Sequence, residues 1–230
     1  MSACHPEKFL YSRKTRKKHA MNKVGAGRYG QVSVGCTNAT CVRTIAVKKS
    51  LDDMTEEFKL LKKAYKAVPG HVPRPYAVAE CRPEGSVMYF QYIPSKTLAK
   101  YTKVTMKTLF QILVTIYLIH KAGVYHNDVH LNNILIETGT HVPYLTDFGL
   151  ATRKPYISEK YDHHLFLNNV YTFTDDSPAR TFIKNIVPKE YLGKKSDKID
   201  KYRLRKDESH SSLPSLKQIL IALQKNIEVQ

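Results

Sequence analysis

Apolar and polar positions along this 230-residue chain fall into two successive regimes, an alternating one and then a helical one. From 21 to 49 the pattern alternates around glycines: Val24, Val32 and Val34, then Val42 to Lys49 after the turn-prone Thr37-Asn38-Ala39. Period-two alternation of this kind predicts a hairpin with a glycine-rich loop ahead of it. Phe58, Leu61 and Tyr65 then recur at helical spacing between Asp53 and Ala67, and Asp53 followed by Glu56 predicts a capping box at the helix start. Pro69, Gly70, Pro73 and Pro75 interrupt the chain before two further strand-like runs, 76–81 and 86–92. Pro94-Ser95-Lys96 reads as a connector, which places a boundary near 93, between a 21–93 lobe and a 94–230 lobe. Beyond it the period lengthens. Met106, Leu109, Phe110, Leu113, Ile116 and Tyr117 follow a helical period between Thr105 and Lys121, and Ile112 and Leu118 widen the apolar face, so a buried helix is expected. Residues 184–212, rich in Lys, Asp and Ser, predict a basic linker; Leu216, Ile219, Leu220, Leu223 and Ile227 then mark a terminal helix at 213–228.

Composition changes this picture in one respect only. With 42% hydrophobic and 25% charged residues the chain is an ordinary globular one, which disfavours collagen-like, disordered and disulfide-stapled classes. The longest nearly unbroken apolar run, Ile112 to Ile119, falls far short of the roughly twenty residues a bilayer span requires, so no membrane contact is expected. No apolar leader precedes a small-residue cleavage site, and four scattered cysteines, Cys4, Cys36, Cys41 and Cys81, suit a reducing compartment; an intracellular protein is expected, cytoplasmic or nuclear. The outlier is charge: 37 basic against 20 acidic residues give +17, a field that attracts phosphates, nucleic acid or acidic protein surfaces. Arg13, Lys14, Arg16, Lys17 and Lys18 cluster in a basic arm at 1–20, read as a solvated arm or edge strand rather than a nucleic-acid contact.

Four short segments carry chemistry. In Gly25-Ala26-Gly27-Arg28-Tyr29-Gly30 small residues let backbone approach phosphate oxygens, and the strand that follows, in place of a helix, excludes a dinucleotide-binding turn. Ala46-Val47-Lys48 lies on that strand; alternation puts Ala46 and Lys48 on one face, and Glu57 on the next helix is the anion a partly buried lysine needs. His126-Asn127-Asp128-Val129-His130-Leu131-Asn132-Asn133 sets an Asp able to accept a hydroxyl proton five residues before an amide able to ligate a metal. Asp147-Phe148-Gly149 adds a carboxylate suited to magnesium. His126 and His130, four apart, do not make a zinc pair, because Gly123 and the asparagines argue for a loop rather than one helical face.

In this order the segments resemble the catalytic core of eukaryotic-type protein kinases over residues 24–150, a little over half the chain. The resemblance implies an α+β, bilobal protein kinase-like fold: a small N-terminal antiparallel β-sheet lobe with one helix and a larger, mainly helical C-terminal lobe. It implies ATP and Mg²⁺, with Mn²⁺ as its substitute, as cofactors of a serine/threonine kinase, and protein substrates, acidic ones by the charge argument. Gly25, Gly27 and Gly30 would cover the phosphates, with Val24 ahead of them; Lys48, oriented by Glu57, would hold the α- and β-phosphates. Val32, Ala46 and Leu135 would sandwich adenine, with Phe90 as gatekeeper and the backbone of Gln91 and Ile93 as hinge. Asp128 would be the catalytic aspartate, Asn133 and Asp147 would bind the metal, and His126 and Phe148 would belong to the packed spine.

The departures from the family shape the expectations further. Asn127 stands where an Arg is common, so switching by loop phosphorylation is not expected. His130 replaces the Lys of serine/threonine kinases and is familiar from aminoglycoside and choline phosphotransferases, which makes a small-molecule phosphotransferase the alternative. No Ala-Pro-Glu motif is present, and Tyr161-Asp162-His163-His164-Leu165-Phe166 reads as the start of the central helix of the large lobe, about fifteen residues after Asp147. Asp162 is either its anchoring aspartate or a plain N-cap. So trimmed a lobe is similar to atypical kinases and to compact kinases of large DNA viruses, in which case the host cell would be the compartment. An inactive, basic kinase-fold binding module is the non-enzymatic alternative, one that would allow nucleic acid as a partner.

Overall fold

The computed structural model describes residues 4–6, 10–17, 21–27, 30–155, 158–193 and 213–228. Arg28 and Tyr29 of the glycine loop, Lys18 of the arm and 194–212 of the expected linker lie outside the described residues. The chain divides into two compact units, Met1–Pro69 with Pro73–Ile93, and Gly70–Val72 with Pro94–Gln230.

The first unit is an antiparallel sheet with one helix. Its strands are β1 (Tyr11–Ser12), β2 (Asn22–Gly27), β3 (Gly30–Cys36), β4 (Thr44–Ser50), β5 (Pro75–Glu80) and β6 (Ser86–Gln91). They run in the order β1-β3-β4-β6-β5, and β2 also pairs with β3. β4 is central, and Ile45, Ala46, Val47 and Lys48 are all buried, so both of its faces are covered. Ile45 and Val47 pack with Leu10, Cys81, Val87 and Tyr89 on one face; Ala46 and Lys48 take the other by the strand's alternation. Leu10 is 1% exposed and Tyr11–Ser12 pairs with Gly35 and Cys36, so part of the basic arm is a docked edge strand. Arg13, Lys14, Arg16 and Lys17 stay exposed on the turn beyond it.

The helix of this unit, α1 (Thr55–Ala67), buries Leu60, Leu61 and Ala64. Its N-cap is Met54, without a side-chain bond, and the expected Asp53–Glu56 capping box does not form. Asp53 instead accepts from the Thr55 N–H at 2.8 Å, while Glu56 pairs with Lys59 in solvent. The hydroxyl of Ser86 accepts from the Met54 N–H at 3.0 Å, satisfying the helix entrance from a neighbouring strand. The cysteines also differ from expectation. Cys4 pairs with Cys81 and Cys36 with Cys41 as disulfides, at Cα separations of 5.5 and 4.9 Å, within the range such bonds span. Docking of Leu10 brings the chain's start to β5, and the turn after β3 brings Cys41 back to Cys36; neither approach is visible in sequence spacing.

The second unit holds a small sheet, β7 (Ser95–Thr97), β8 (Ile134–Glu137) and β9 (Pro143–Leu145), and, among the described residues, four α-helices. α2 (Met106–Lys121) opens on Thr105, whose hydroxyl accepts from the Thr108 N–H, and buries Leu109, Ile112, Leu113, Ile116 and Ile119. It stops at Gly123 (φ 65°), where the Val124 N–H reaches back to Ile119 O at 2.9 Å. α3 (Tyr161–Phe173) buries ten consecutive residues, Tyr161 to Val170, as a helix enclosed on all sides does. α4 (Pro178–Ile186) runs into the stretch expected as linker from 184, and a 3-10 turn at Lys189–Tyr191 follows. Ser177 caps α4 through the Arg180 N–H and Pro178 opens it, a strong start signal that the polar run after 184 obscured. α5 (Leu216–Glu228) packs on α2 and buries Leu216, Ile219 and Leu223. Ser215 and Gln218 cap it reciprocally. No helix among the described residues is long and apolar enough to cross a membrane.

The start of α3 carries a titrating strain. His163 is 1% exposed, and burial, then the neighbouring His164, push its pKa well below 6.5. A histidine kept neutral in the fold but free to protonate when unfolded costs stability at low pH. The loss begins as pH falls below 6.5 and is complete only below the depressed folded value. Urea unfolding at pH 7.5, 6 and 5 should therefore show a steeper loss for wild type than for His163→Gln; equal slopes would remove His163 as the cause.

Candidate active site

In the first unit, β4 and α1 position the predicted lysine and glutamate. Lys48 Nζ lies 2.8 and 3.0 Å from the two Glu57 carboxylate oxygens, with the side chains 7% and 11% exposed. At that burial the pair tolerates the loss of neither partner: removing one costs about 3–5 kcal/mol because the other charge stays behind. Register sets Val32 opposite Lys48, and Ala46 opposite Phe90; Ala46 is 3% exposed, Val32 and Phe90 are half-buried. Ile93 is buried, whereas Val24 is exposed on β2. The Gln91 N–H donates to Arg74 O at 2.8 Å, so of Gln91's two backbone groups the N–H is already committed.

The glycines of the loop separate into two kinds. Gly30 has φ 129°, and a Cβ there would stand 2.3 Å from Lys49 O, so strand packing alone demands glycine. Around Gly25 nothing lies within 4 Å of a built Cβ, so packing makes no such demand. Gly27 closes β2, paired with Gly30.

In the second unit, the loop 125–133 is held from below by one carboxylate. Asp162, 2% exposed on α3, accepts from the backbone N–H groups of His126 (2.8 Å) and Asn127 (2.7 Å) and binds His120 Nε2 (2.7 Å). Lys160, not Asp162, is the N-cap residue, which decides between the two readings of Asp162 in favour of an anchor. His126 is fully buried, bonded from Nε2 to Thr146 O at 2.9 Å and approached by the Asp128 N–H at Nδ1, with its ring edge-on to Phe148 at 4.7 Å. Both ring nitrogens are engaged, which leaves this histidine none for a metal.

Asp128 sits above that platform, its side chain 23% exposed. Asn133 Nδ2 donates to its Oδ2 and to its backbone O, both at 3.0 Å, and His130 Nε2 lies 3.4 Å from Oδ2. Burial pushes the Asp128 carboxyl up, but the hydrogen bond and charge of His130, then His126 and the Asn133 amide, outweigh it and hold it below the usual carboxylate value. An ionised acceptor results, suited to orienting a hydroxyl. Asp147, exposed, stands in a left-handed backbone conformation (φ 61°) between Thr146, whose N–H and hydroxyl both bond Asn133 O, and the buried Phe148. Leu135 is half-buried on β8.

Asn127 ties two segments together, although the motif alone presents it only as a loss. Its φ is 62°, a conformation Asn tolerates better than most residues, and its amide donates to Thr152 Oγ1 (2.8 Å), Leu150 O (3.0 Å) and Tyr125 O (3.3 Å). Tyr125 and Thr152 also exchange backbone hydrogen bonds at 2.9 and 2.8 Å. The segment after Asp147 is thus tied to the loop carrying Asp128.

Magnesium prefers oxygen donors, few from protein and the rest from phosphate and water. The Asp147 carboxylate and the Asn133 amide oxygen, whose Nδ2 partner is turned to Asp128, fit that preference. Among the described residues no group of three His, Cys, Asp or Glu side chains could hold a metal by itself.

Residues 18–174, more than half of the chain, match the protein kinase domain, and the chain belongs to the protein kinase family. Its sheet-plus-helix first unit and mainly helical second unit accord with the α+β, bilobal kinase-like fold. A negative regulator of sexual conjugation and meiosis from Schizosaccharomyces pombe is 35% identical over 85 residues, covering 36% of this chain and 18% of that protein. The serine/threonine-protein kinase cot-1 of Neurospora crassa is 39% identical over 69 residues, 30% of this chain and 10% of that protein. The aligned stretches therefore span less than a fifth of either relative.

Two predictions follow from this geometry. Gly30→Ala should lower stability by about 1–3 kcal/mol through strain, whereas Gly25→Ala should leave the melting temperature unchanged and weaken binding of a fluorescent ATP analogue. Unchanged nucleotide affinity in Gly25→Ala would deny that glycine a phosphate-facing role. Asn127→Gly keeps the left-handed backbone accessible but removes the amide; hydrogen exchange at Thr152 should accelerate at least tenfold, a loss of about 1.4 kcal/mol or more of local protection. Unaltered exchange would mean that the Tyr125–Thr152 bridge holds the segment alone.

Proposed function

We propose that this protein is an ATP-dependent serine/threonine protein kinase that transfers the γ-phosphoryl group to a protein hydroxyl, with acidic proteins as substrates. The observation that carries the reading is Asp128, kept ionised and held at 3.0 Å by the Asn133 amide on a loop anchored by buried Asp162. Asp128 orients the acceptor hydroxyl and takes its proton as the phosphorus–oxygen bond forms and ADP leaves. Lys48, oriented by Glu57, supplies positive charge to the α- and β-phosphates, and the backbone at Gly25, Gly27 and Gly30 covers them. Val24, Val32, Ala46, Phe90 and Leu135, with the backbone of Gln91 and Ile93, receive the adenine. Asp147 and Asn133 would hold Mg²⁺, or Mn²⁺ in its place; bound there, the ion neutralises phosphate charge.

The match to a serine/threonine-protein kinase and the acid-attracting charge of +17 support protein acceptors. Use of ATP supports a cytoplasmic or nuclear setting; the cysteines do not, since all four are paired and a reducing compartment would open them.

The test is transfer from γ-labelled ATP to casein, to an aminoglycoside panel and to a cell lysate. Wild type should label protein. Asp147→Ala and Lys48→Met should remove most transfer, and Asp128→Asn should lower it by about a hundredfold or more. Near wild-type rates in Asp147→Ala would refute the assignment. Label in the aminoglycosides alone would move the protein to the small-molecule phosphotransferases, and label in neither would favour a binding module.

A further inference from the structure

The second unit carries a recess of about 290 Å³ at the start of α2, lined by none of the residues given a part in phosphoryl transfer. Its floor is apolar and buried: Leu98 (2% exposed), Val104 (2%) and Ile136 (4%). Its rim is basic: Lys103, Lys107 and His141, all exposed. No carboxylate among the described residues lines it, and the adjacent acid Glu137 already accepts a hydrogen bond from Thr140.

The placement of the two lysines runs against local stability. A helix N-terminus bears partial positive charge and favours Asp or Glu in its first turn. α2 has no acid there; Lys107 occupies that turn, Lys103 lies just before it, and neither has an ion-pair partner among the described residues. His141 adds to the same rim from the β8–β9 turn, where it adopts φ 59°, an uncommon conformation for a side chain of its size. Helix dipole and lysines therefore sum to a positive field around an apolar hollow.

We infer that this recess docks an acidic linear peptide segment of a protein partner, with one or two large apolar side chains seated on Leu98, Val104 and Ile136 and carboxylates ringed by Lys103, Lys107 and His141. Charge complementarity selects the acid, and the hollow selects a peptide over nucleic acid, which would follow a basic surface without needing a buried apolar floor. Tethered this way, a substrate's phosphoacceptor gains effective concentration at Asp128 without any new contact there. That role rests on the kinase reading; the binding itself does not.

The experiment uses the full chain and a fluorescein-labelled dodecapeptide with one Leu and one Phe among six glutamates. Its controls are the same peptide with Ser at both apolar positions and a single-stranded oligonucleotide of equal charge. The apolar-bearing peptide should bind about tenfold or more tighter than its serine version. Lys103→Glu with Lys107→Glu should weaken it by about tenfold or more, while Lys103→Arg with Lys107→Arg retains it. Equal affinity for the two peptides, indifference to the charge reversal, or displacement by the oligonucleotide with the same lysine dependence would each overturn the inference. In the kinetic arm, fusing the peptide to a phosphoacceptor should lower KM at unchanged kcat, and the charge reversal should erase that gain while leaving the unfused acceptor's rate intact. A KM gain that survives the reversal would also overturn it. Binding that meets these expectations without transfer to either acceptor would uphold the docking site and sink the kinase reading alone.

Discussion

The second unit depends on the three hydrogen bonds that converge on the Asp162 carboxylate. A carboxylate 2% exposed is costly to bury, and it is tolerable here because two backbone N–H groups and an imidazole satisfy it. What those bonds accomplish is positional. They fasten the His126–Asn127 backbone to α3, so that Asp128 leaves the loop in one direction, Asn127 is held left-handed, and the ring of His126 meets Phe148. Without the anchor, neither the Asn133 clamp on Asp128 nor the Asn127 tie to Leu150 and Thr152 would have a stationary partner.

The first unit solves a related problem with an ion pair. A lysine on a central strand covered on both faces cannot reach water, and Glu57 answers it from the neighbouring helix. Both units thus bury a charged group and supply its partner from a different secondary-structure element. Such arrangements resist local rearrangement, because moving either element strands a charge in a medium that solvates it poorly.

How much of this could be read from the chain varies with the range of the interaction. Strand and helix placement followed periodicity, and Glu57 could be picked out as the anion on the next helix that a partly buried Lys48 needs. Asp162 could be named but not assigned, since cap and anchor look alike until the loop 36 residues upstream is placed beside it. Asn127 registered as a missing arginine, whereas its amide is a working donor to residues 23 and 25 positions on. The Asp53 capping box failed because Asp53 found a nearer donor in Thr55. Helix α4 was hidden by reading the polar stretch after 184 as a whole, although Ser177-Pro178 announced its start. Cysteine pairing was out of reach, because Cys4 and Cys81 are 77 residues apart and meet only when the chain's first turn docks against the sheet.

The enclosure of α3 has a consequence for the order of assembly. A helix with ten consecutive buried residues, among them Asp162, two histidines and two asparagines, presents no wet side on which it could wait while the remainder forms. Its polar groups must shed water at the moment their partners arrive, so α3 and the 126–127 backbone should condense together, early, as a nucleus onto which α2, α4 and α5 add. A unit organised that way would acquire the geometry of its 125–133 loop as a condition of folding at all, rather than as a late adjustment.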